Sequence, residues 1–365
     1  MITTILIITT ILYIAELIYL RIGLEKSDLL TFVKGYEPSV SVIVAARNEE
    51  QYIGACLTSL IQIDYPRENI ELIIVDDGST DNTPAIIESF SKLNPIIKMI
   101  TTKPGYDNLR GKTNAVAQGI NASSGEILMF TDADCTVPPS WVRKTVRYFD
   151  EQTGIVGGYT LLKAHRTFEG IQALDWIFLF GLASATAGWN IPLTVIGNNL
   201  SVRRSAYMQT GGFEKIPFSV TEDYALVQAV LQKTKFHVRF PMNVGTLVRS
   251  TACWNWNSLY HQKQRWGVGG LDMIFRGFVI MVIGWIAKLI LILSVLFSPS
   301  LIWLGVFLLM IAGEFIFLFK PLKRFESITY LKYFLPFFIY FLVYVLIIPF
   351  VAFFSKQVVW KERYL

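Results

Sequence analysis

Cysteine and histidine are nearly missing from this chain, with three of each among 365 residues. Cys56, Cys135 and Cys253 form no Cys-x-x-Cys pair and no even-numbered framework. A disulfide scaffold and a zinc knuckle are therefore not encoded, and buried reduced thiols are the expectation. His165, His237 and His261 give little support to a histidine-built zinc site or a Ser-His-Asp triad. Two nucleotide-binding signatures are lacking as well. No Gly-x-Gly-x-x-Gly follows a strand-like run, which argues against a dinucleotide cofactor. Gly111-Lys112-Thr113 opens a helical pattern, but a P-loop needs a glycine five residues before Gly111, where Tyr106 stands and Gly105 is one step off. Lys112 is still well placed to reach a phosphate at a helix N-terminus.

Charge is also scarce: 17% of residues are charged and 53% hydrophobic, against about 25% charged in soluble domains. The shortfall is uneven, because the first twenty residues and the stretch after about 279 are nearly uncharged while 35–270 has an ordinary charge content. That pattern predicts a soluble domain bracketed by membrane segments. The net charge is +5, and Lys320, Lys323, Arg324, Lys356, Lys361 and Arg363 flank apolar runs. Placed there they suit lipid headgroups, and no nucleic-acid surface is expected.

Residues 2–20 are apolar but for Glu16, have no positive charge before them, and are followed at once by Arg21 and Lys26. A secretory signal has the opposite arrangement, so an uncleaved anchor over 1–22 with the main domain in the cytosol is expected. Further apolar runs cover 279–297 (with Lys288), 301–319 (with Glu314) and 328–354, each near the ~20 residues that cross a bilayer core. Ser298-Pro299-Ser300 reads as a hairpin turn, and 320–324 as a basic cytosolic loop. The basic tail, 356–365, would then lie outside, against the positive-inside rule, unless the last run is kinked or re-entrant around Pro336 and Pro349. The expected division is thus 1–22 anchor, 35–252 catalytic domain, 253–278 interfacial segment, 279–355 about three membrane helices, and the tail. The apolar segment between Phe168 and Trp189 reads either as core or as a membrane-dipping helix that guides a lipid.

Within the central domain, 39–46 and 70–75 are short β-branched runs followed by helical patterns at 50–61 and 82–91. The theme repeats with a strand at 96–102, a helix at 112–121 and a strand at 126–130. Continuous apolar strands predict a parallel α/β sheet buried on both faces, whose ligands sit beyond the carboxyl ends of the strands. Charged residues concentrate there: Arg47-Asn48-Glu49, Asp76-Asp77-Gly78-Ser79 and Asp132-Ala133-Asp134. The pair Asp132 and Asp134 reads as a hard-cation site or as a helix N-cap, and Asp76-Asp77 as a ligand site or a turn. Two adjacent acidic strand ends together favour a metal–nucleotide site. Downstream, Thr221-Glu222-Asp223 opens an apolar helix and is either a cap or an acid–base group. Gln262-Lys-Gln-Arg265-Trp266 stands on a tryptophan-rich stretch, which as a membrane-interface belt explains the tryptophans but not the Gln-x-x-Arg-Trp spacing.

Taken in order, Ala-Ala-Arg-Asn-Glu, Val-Asp-Asp-Gly-Ser-Thr-Asp, Gly-Lys-Thr-Asn-Ala, Thr-Asp-Ala-Asp, Thr-Glu-Asp and Gln-x-x-Arg-Trp resemble the motifs of the membrane-integrated family 2 glycosyltransferases. That group includes cellulose, hyaluronan and chitin synthases and, nearer in size, ceramide glucosyltransferases. The resemblance covers about 39–270. It implies a GT-A fold, a Rossmann-like mostly parallel α/β sheet, with transmembrane helices at both ends, that binds a nucleotide-sugar, usually a UDP-sugar, and inverts the anomeric centre. It further implies that Ala45, Arg47 and Glu49 line the nucleotide and that Asp76 or Asp77 contacts the base. Lys112 would approach the phosphates, Asp132 the ribose or sugar, and Asp134 would hold Mg²⁺ or Mn²⁺. Asp223 would be the general base, with Gln262, Arg265 and Trp266 closing over the diphosphate and acceptor. Ala45 departs from many relatives, in which proline or threonine is frequent.

The expected activity is transfer of one or very few sugars from that donor to a membrane-lipid hydroxyl at the cytosolic leaflet of a bacterial or archaeal plasma membrane. A processive polysaccharide synthase is the alternative, disfavoured because Lys288 and Glu314 alone line a channel poorly. A non-catalytic nucleotide-sugar-binding protein would predict decayed motifs, whereas Asp132, Asp134, Asp223 and Arg265 are all present.

Overall fold

The computed structural model describes residues 2–105, 109–297, 299–355, 359–360 and 363–364. Tyr106, Ser298, Lys356 and Lys361, and hence most of the basic tail, lie outside the described residues, as does the Arg363 side chain. In chain order the main elements are α1 (Ile2–Asp28), β1 (Val40–Ala46), α2 (Ile53–Ile61), β2 (Ile70–Asp76), α3 (Thr83–Leu93) and β3 (Ile97–Thr101). Then come α4 (Gly111–Asn121), β4 (Ile127–Phe130), α5 (Trp141–Val146), β5 (Thr153–Gly157), β6 (Thr160–Lys163) and α6 (Thr167–Gly188). They are followed by β7 (Leu200–Arg203), α7 (Arg204–Thr210), α8 (Glu222–Lys233), β8 (His237–Arg239) and β9 (Val248–Thr251). The chain continues with α9 (Trp256–Gly269), α10 (Phe275–Phe297), α11 (Leu301–Arg324) and α12 (Phe334–Phe354).

These elements form two compact units. The α/β unit comprises Asp28–Leu161, Thr194–Thr251 and Gln357–Leu365, and the helical unit Met1–Ser27, Leu162–Leu193 and Ala252–Lys356. Residues 162–193, expected inside the 35–252 domain, therefore group with the helical unit.

In the α/β unit a seven-stranded sheet runs in the order β3-β2-β1-β4-β7-β5-β8. β3, β2, β1 and β4 are mutually parallel, and β7 runs antiparallel to both β4 and β5. Every residue of β4 is buried and all but Ala45 of β1, as unbroken β-branched runs require when helices cover both faces. β3 departs from that expectation: only Ile97 is fully buried, because the strand is at the sheet edge. A second correction concerns β2 and β4, expected as neighbours. They flank β1 on opposite sides, since the crossover through α4 carries the chain past β1 before β4 pairs with it. Gly125 is needed at the start of β4, where a Cβ would meet the Ser41 backbone nitrogen at 2.4 Å. One core then joins Val42, Val44, Leu72, Ile74, Ile127 and Met129 to Leu57, Trp141 and Phe149.

Among the described residues the helical unit holds five helices long and apolar enough to cross a membrane, in Ile2–Asp28, Thr167–Gly188, Phe275–Phe297, Leu301–Arg324 and Ile328–Phe354. α1 runs six residues past the expected 1–22. α6 is mostly buried, and it meets α1 backbone to backbone: a Cβ on Gly23 would lie 2.2 Å from the Ala185 carbonyl oxygen. Nearby, the Ser27 hydroxyl donates to the Ser184 carbonyl at 2.7 Å. α12 is a helix over Phe334–Phe354 and carries Pro349 in its interior, where the missing N–H removes one intrahelical bond. Pro336 sits in the first turn, where an N–H has no intrahelical partner to lose. Inside this unit Lys288 of α10 and Glu314 of α11 are fully buried and paired at 2.8 Å. The Tyr13 hydroxyl of α1 donates to the same Glu314 oxygen at 2.7 Å and accepts from Lys288 at 2.9 Å.

Candidate active site

The site assembles at the carboxyl ends of β2, β1 and β4. Ala46 of β1 is level with Asp76 of β2, and Asp76 with Thr101 of β3, so three strands end together. Beyond them the chain after β1 and the chain after β2 are laced side to side. The Arg47 guanidinium donates to the carbonyl oxygens of Asp77 (2.6 Å) and Gly78 (3.0 Å). The Asn48 amide nitrogen donates to Ser79 Oγ, and the Thr80 amide returns a bond to Asn48 Oδ1 at 2.9 Å. Asn48 accepts a left-handed backbone, φ +51°, which asparagine tolerates better than most residues. The Glu49 amide donates to Thr83 Oγ1 at 2.7 Å. Asp76 and Asp77 are both buried, Asp76 accepting from the Ser79 amide and Asp77 from the Thr102 hydroxyl. Ala45, Arg47 and Glu49 thus stand beside Asp76 and Asp77 at one rim.

On the other side of β1, Asp132 and Asp134 follow β4, and α4 places Lys112 against Asp132. α4 packs closely on the sheet at Gly119, where a Cβ would stand 2.6 Å from an Ile43 methyl and 3.0 Å from a Val75 methyl. Gln118 also braces α4, exchanging bonds with both backbone groups of Lys103. Lys112 Nζ lies 2.7 Å from Asp132 Oδ1 and 3.3 Å from Glu222 Oε1, at the start of α8. Burial opposes the ammonium charge, but Asp132 and Glu222 outweigh it and hold Lys112 protonated well above its usual range. The positive group that paired carboxylates demand is therefore partly supplied by the protein.

Asp223 is next to Glu222 on α8. Its Oδ2 accepts from the Gly197 amide at 2.6 Å and its Oδ1 from the Tyr224 amide at 2.8 Å. Burial pushes its pKa up to about 6, the Glu222 charge adds to the rise, and Lys112 and the two amides act against it. Gly197 is closely packed, since a Cβ would stand 3.3 Å from Asp223 Cβ and Oδ2 and would press on that side chain. Asp134 Oδ2 accepts from Ser250 Oγ of β9 at 3.0 Å.

Among the described residues no three His, Cys, Asp or Glu side chains gather as a metal cage. The chemistry of Asp134 nevertheless fits a hard divalent ion, because Mg²⁺ in particular is commonly held by one or two carboxylates with the balance from phosphate oxygens and water. The thiols of Cys56 and Cys135 lie beneath these acids, and burial pushes both up, away from the reactive thiolate.

Gln262, Arg265 and Trp266 lie on α9 of the helical unit. Three residues of the α/β site escaped the sequence reading. Glu222 was visible only as part of a capping pattern, and neither Gly197 nor Ser250 carries a local signal, Ser250 being 116 residues from Asp134.

A mostly parallel α/β sheet in this order is a GT-A architecture. Two family signatures cover most of the chain, Glycosyl transferase family 2 over residues 41–211 and Glycosyl transferase family group 2 over 127–355. The chain belongs to glycosyltransferase family 2. It is similar to the beta-monoglucosyldiacylglycerol synthase of Synechocystis sp., 28% identical over 69% of this chain and 52% of that one. It is also similar to the poly-beta-1,6-N-acetyl-D-glucosamine synthase of Staphylococcus epidermidis, 26% identical over 66% and 56%. The chain spans about half the length of the curated relatives it matches. Among solved structures, a mannosyltransferase of Pyrobaculum calidifontis, in complex with GDP-Man and Mn²⁺, superimposes with a TM-score of 0.59 at 18% identity, over 92% of this chain and 98% of that one.

Proposed function

We propose that this enzyme moves a single sugar, with inversion, from a nucleotide-sugar to a hydroxyl of a membrane lipid at the cytosolic leaflet. The observation that carries the reading is Asp223, a carboxylate raised to about 6 at the mouth of an acidic strand-end cluster. An uncharged hydroxyl is a poor nucleophile, and a carboxylate that titrates near neutrality is matched to taking its proton as the anomeric carbon is attacked. Gly197 and Tyr224 hold both Asp223 oxygens in place by their amides, which fixes the direction from which the proton is taken.

The remaining residues divide between donor and leaving group. Ala45, Arg47, Glu49 and the Asp76-Asp77 pair are assigned to the nucleotide, and Asp132 to the ribose or sugar. Lys112, cationic between Asp132 and Glu222, is assigned to the phosphates. Gln262, Arg265 and Trp266 are assigned, by the motif they match, to the diphosphate and acceptor. A divalent cation, Mg²⁺ or Mn²⁺ held by Asp134, would offset the charge that develops on the departing diphosphate; the Mn²⁺ of the mannosyltransferase is consistent with this.

The lipid acceptor is supported by the five apolar helices and by the glycolipid synthase among the relatives. The poly-N-acetylglucosamine synthase supports a second reading, polymer synthesis and export. Against it, Lys288 and Glu314 are buried and paired with each other, so neither charge is left to line a polar passage. The test is incubation of purified protein with membrane lipids and a panel of labelled nucleotide-sugars, followed by separation of glycolipid from polymer. A product that partitions into organic solvent is expected; a water-soluble, glycosidase-sensitive polymer on the far side of sealed vesicles overturns the lipid assignment.

A further inference from the structure

The helix that carries Gln262, Arg265 and Trp266 is held in an unusual way. Of the fourteen residues of α9 only Leu259, Lys263 and Gly269 are buried. Lys263 stands at one of the unspecified positions of Gln-x-x-Arg-Trp, yet it is 5% exposed and ion-paired with Asp175 of α6, itself 4% exposed. The ammonium lies 4.3 Å from the ring centre of Trp266 and 4.9 Å from that of Tyr344. The same face of α6 grips the rest of the segment. Phe168 meets Trp256 at 4.7 Å and Trp176 meets Trp266 at 5.5 Å between ring centres. Gln172 exchanges two hydrogen bonds with the backbone of Cys253.

Stability alone does not explain the pair. A buried ion pair can usually be replaced by apolar side chains of similar volume at no loss, whereas removing one partner strands a buried charge. What leucine or methionine cannot do is hold a cation over the Trp266 indole, an attraction that depends on the ring facing the charge. We propose that Asp175 and Lys263 are positioning residues, which set the plane of Trp266 and the direction in which α9 presents Arg265. This rests on the reading that Arg265 and Trp266 serve the diphosphate and acceptor, and deepens it.

The test uses the full-length protein in lipid nanodiscs with Asp175→Asn, Asp175→Leu, Lys263→Met and the double variant Asp175→Leu/Lys263→Met. Rate is read as release of nucleoside diphosphate, which registers transfer to lipid, polymer or water alike. Product identity thus judges the functional reading, and the ratio of variant to wild-type rate judges the pair. The single Leu and Met variants are expected to lose both thermal stability and turnover. The double variant should recover the wild-type unfolding temperature while kcat stays about 10- to 100-fold low and the KM for donor is unchanged, the loss typical of a misplaced group. Recovery of both stability and kcat in the double variant would reduce the pair to packing and overturn the proposal. Should the double variant not fold, the near-isosteric Asp175→Asn decides: a fall in kcat of about tenfold at constant donor KM sustains the proposal, and wild-type kcat overturns it.

Discussion

Replacing Asp223 by asparagine separates the catalytic from the structural account of that residue, because the two predict opposite changes in stability. The carboxyl is raised from 3.8 to about 6, so the folded protein binds this proton more tightly than the unfolded chain does. That contribution to stability is complete below the ordinary value and is lost as pH rises through about 6. At neutral pH the ionised group therefore opposes folding by about 3 kcal/mol, at 1.36 kcal/mol per unit. Asparagine removes the charge but keeps only one acceptor oxygen, so one of the amides of Gly197 and Tyr224 loses its partner, at about 1–3 kcal/mol. The variant should be as stable as the wild type at pH 7.5, or more stable by up to about 2 kcal/mol, and should bind donor normally by calorimetry. Transfer should fall by about 10²–10⁴-fold. Wild-type kcat should drop about tenfold per pH unit below about 6, and the residual activity of the variant should lack that acid limb. A lower unfolding temperature together with lost donor binding would refute the reasoning and make Asp223 a cap or a donor ligand.

Asp134→Ala should abolish metal-dependent turnover, and full activity of this variant in the presence of a chelator would remove the cation from the mechanism. Lys112→Met leaves Asp132 and Glu222 without their ammonium and withdraws the charge that lowers Asp223. Its pH–rate profile should keep its shape but move its acid limb to higher pH, and an unmoved limb would uncouple Lys112 from the base. Gly197→Ala presses a methyl group against Asp223 at 3.3 Å, so turnover should fall by about tenfold or more while the unfolding temperature changes little.

The local elements of the α/β unit were legible because their periods are. β1, β2 and β4 show as unbroken apolar runs and α2, α3 and α4 as helical spacing, and all six fall within a few residues of expectation. What periodicity does not encode is order. That β1 separates β2 from β4, and that β3 is an edge, follow from crossovers that no single segment records. The acidic strand ends were likewise visible, but their partners were not. Lys112 reads from its position as a phosphate ligand, and only the packing of α4 against the chain after β4 and the start of α8 shows that Asp132 and Glu222 hold it. Ser250 reaches Asp134 from a strand with no motif at all. The segment from Phe168 to Trp189 was ambiguous because an apolar composition is the same whether a helix faces lipid or protein. The grip of α6 on α1 and on α9 depends on Gly23, Gln172 and Asp175, one residue at a time.

The cluster of Tyr13, Lys288 and Glu314 has a consequence for how the chain enters a bilayer. An isolated charge at the centre of a membrane helix costs about 2.5–3.5 kcal/mol on insertion scales, and α10 and α11 carry one each, of opposite sign, in helices separated only by residues 298–300. Inserted singly, each helix would meet that penalty; inserted as a hairpin, Lys288 and Glu314 neutralise one another before either faces hydrocarbon. α1, synthesised first, brings to the cluster a hydroxyl that both ions can bind, with the Glu16 carboxyl of the same helix within electrostatic reach of Lys288. Helix α1 is thereby recruited to a hairpin emerging some 260 residues later by a polar contact specific to one depth and one face, which selects its place among equally apolar neighbours during biogenesis.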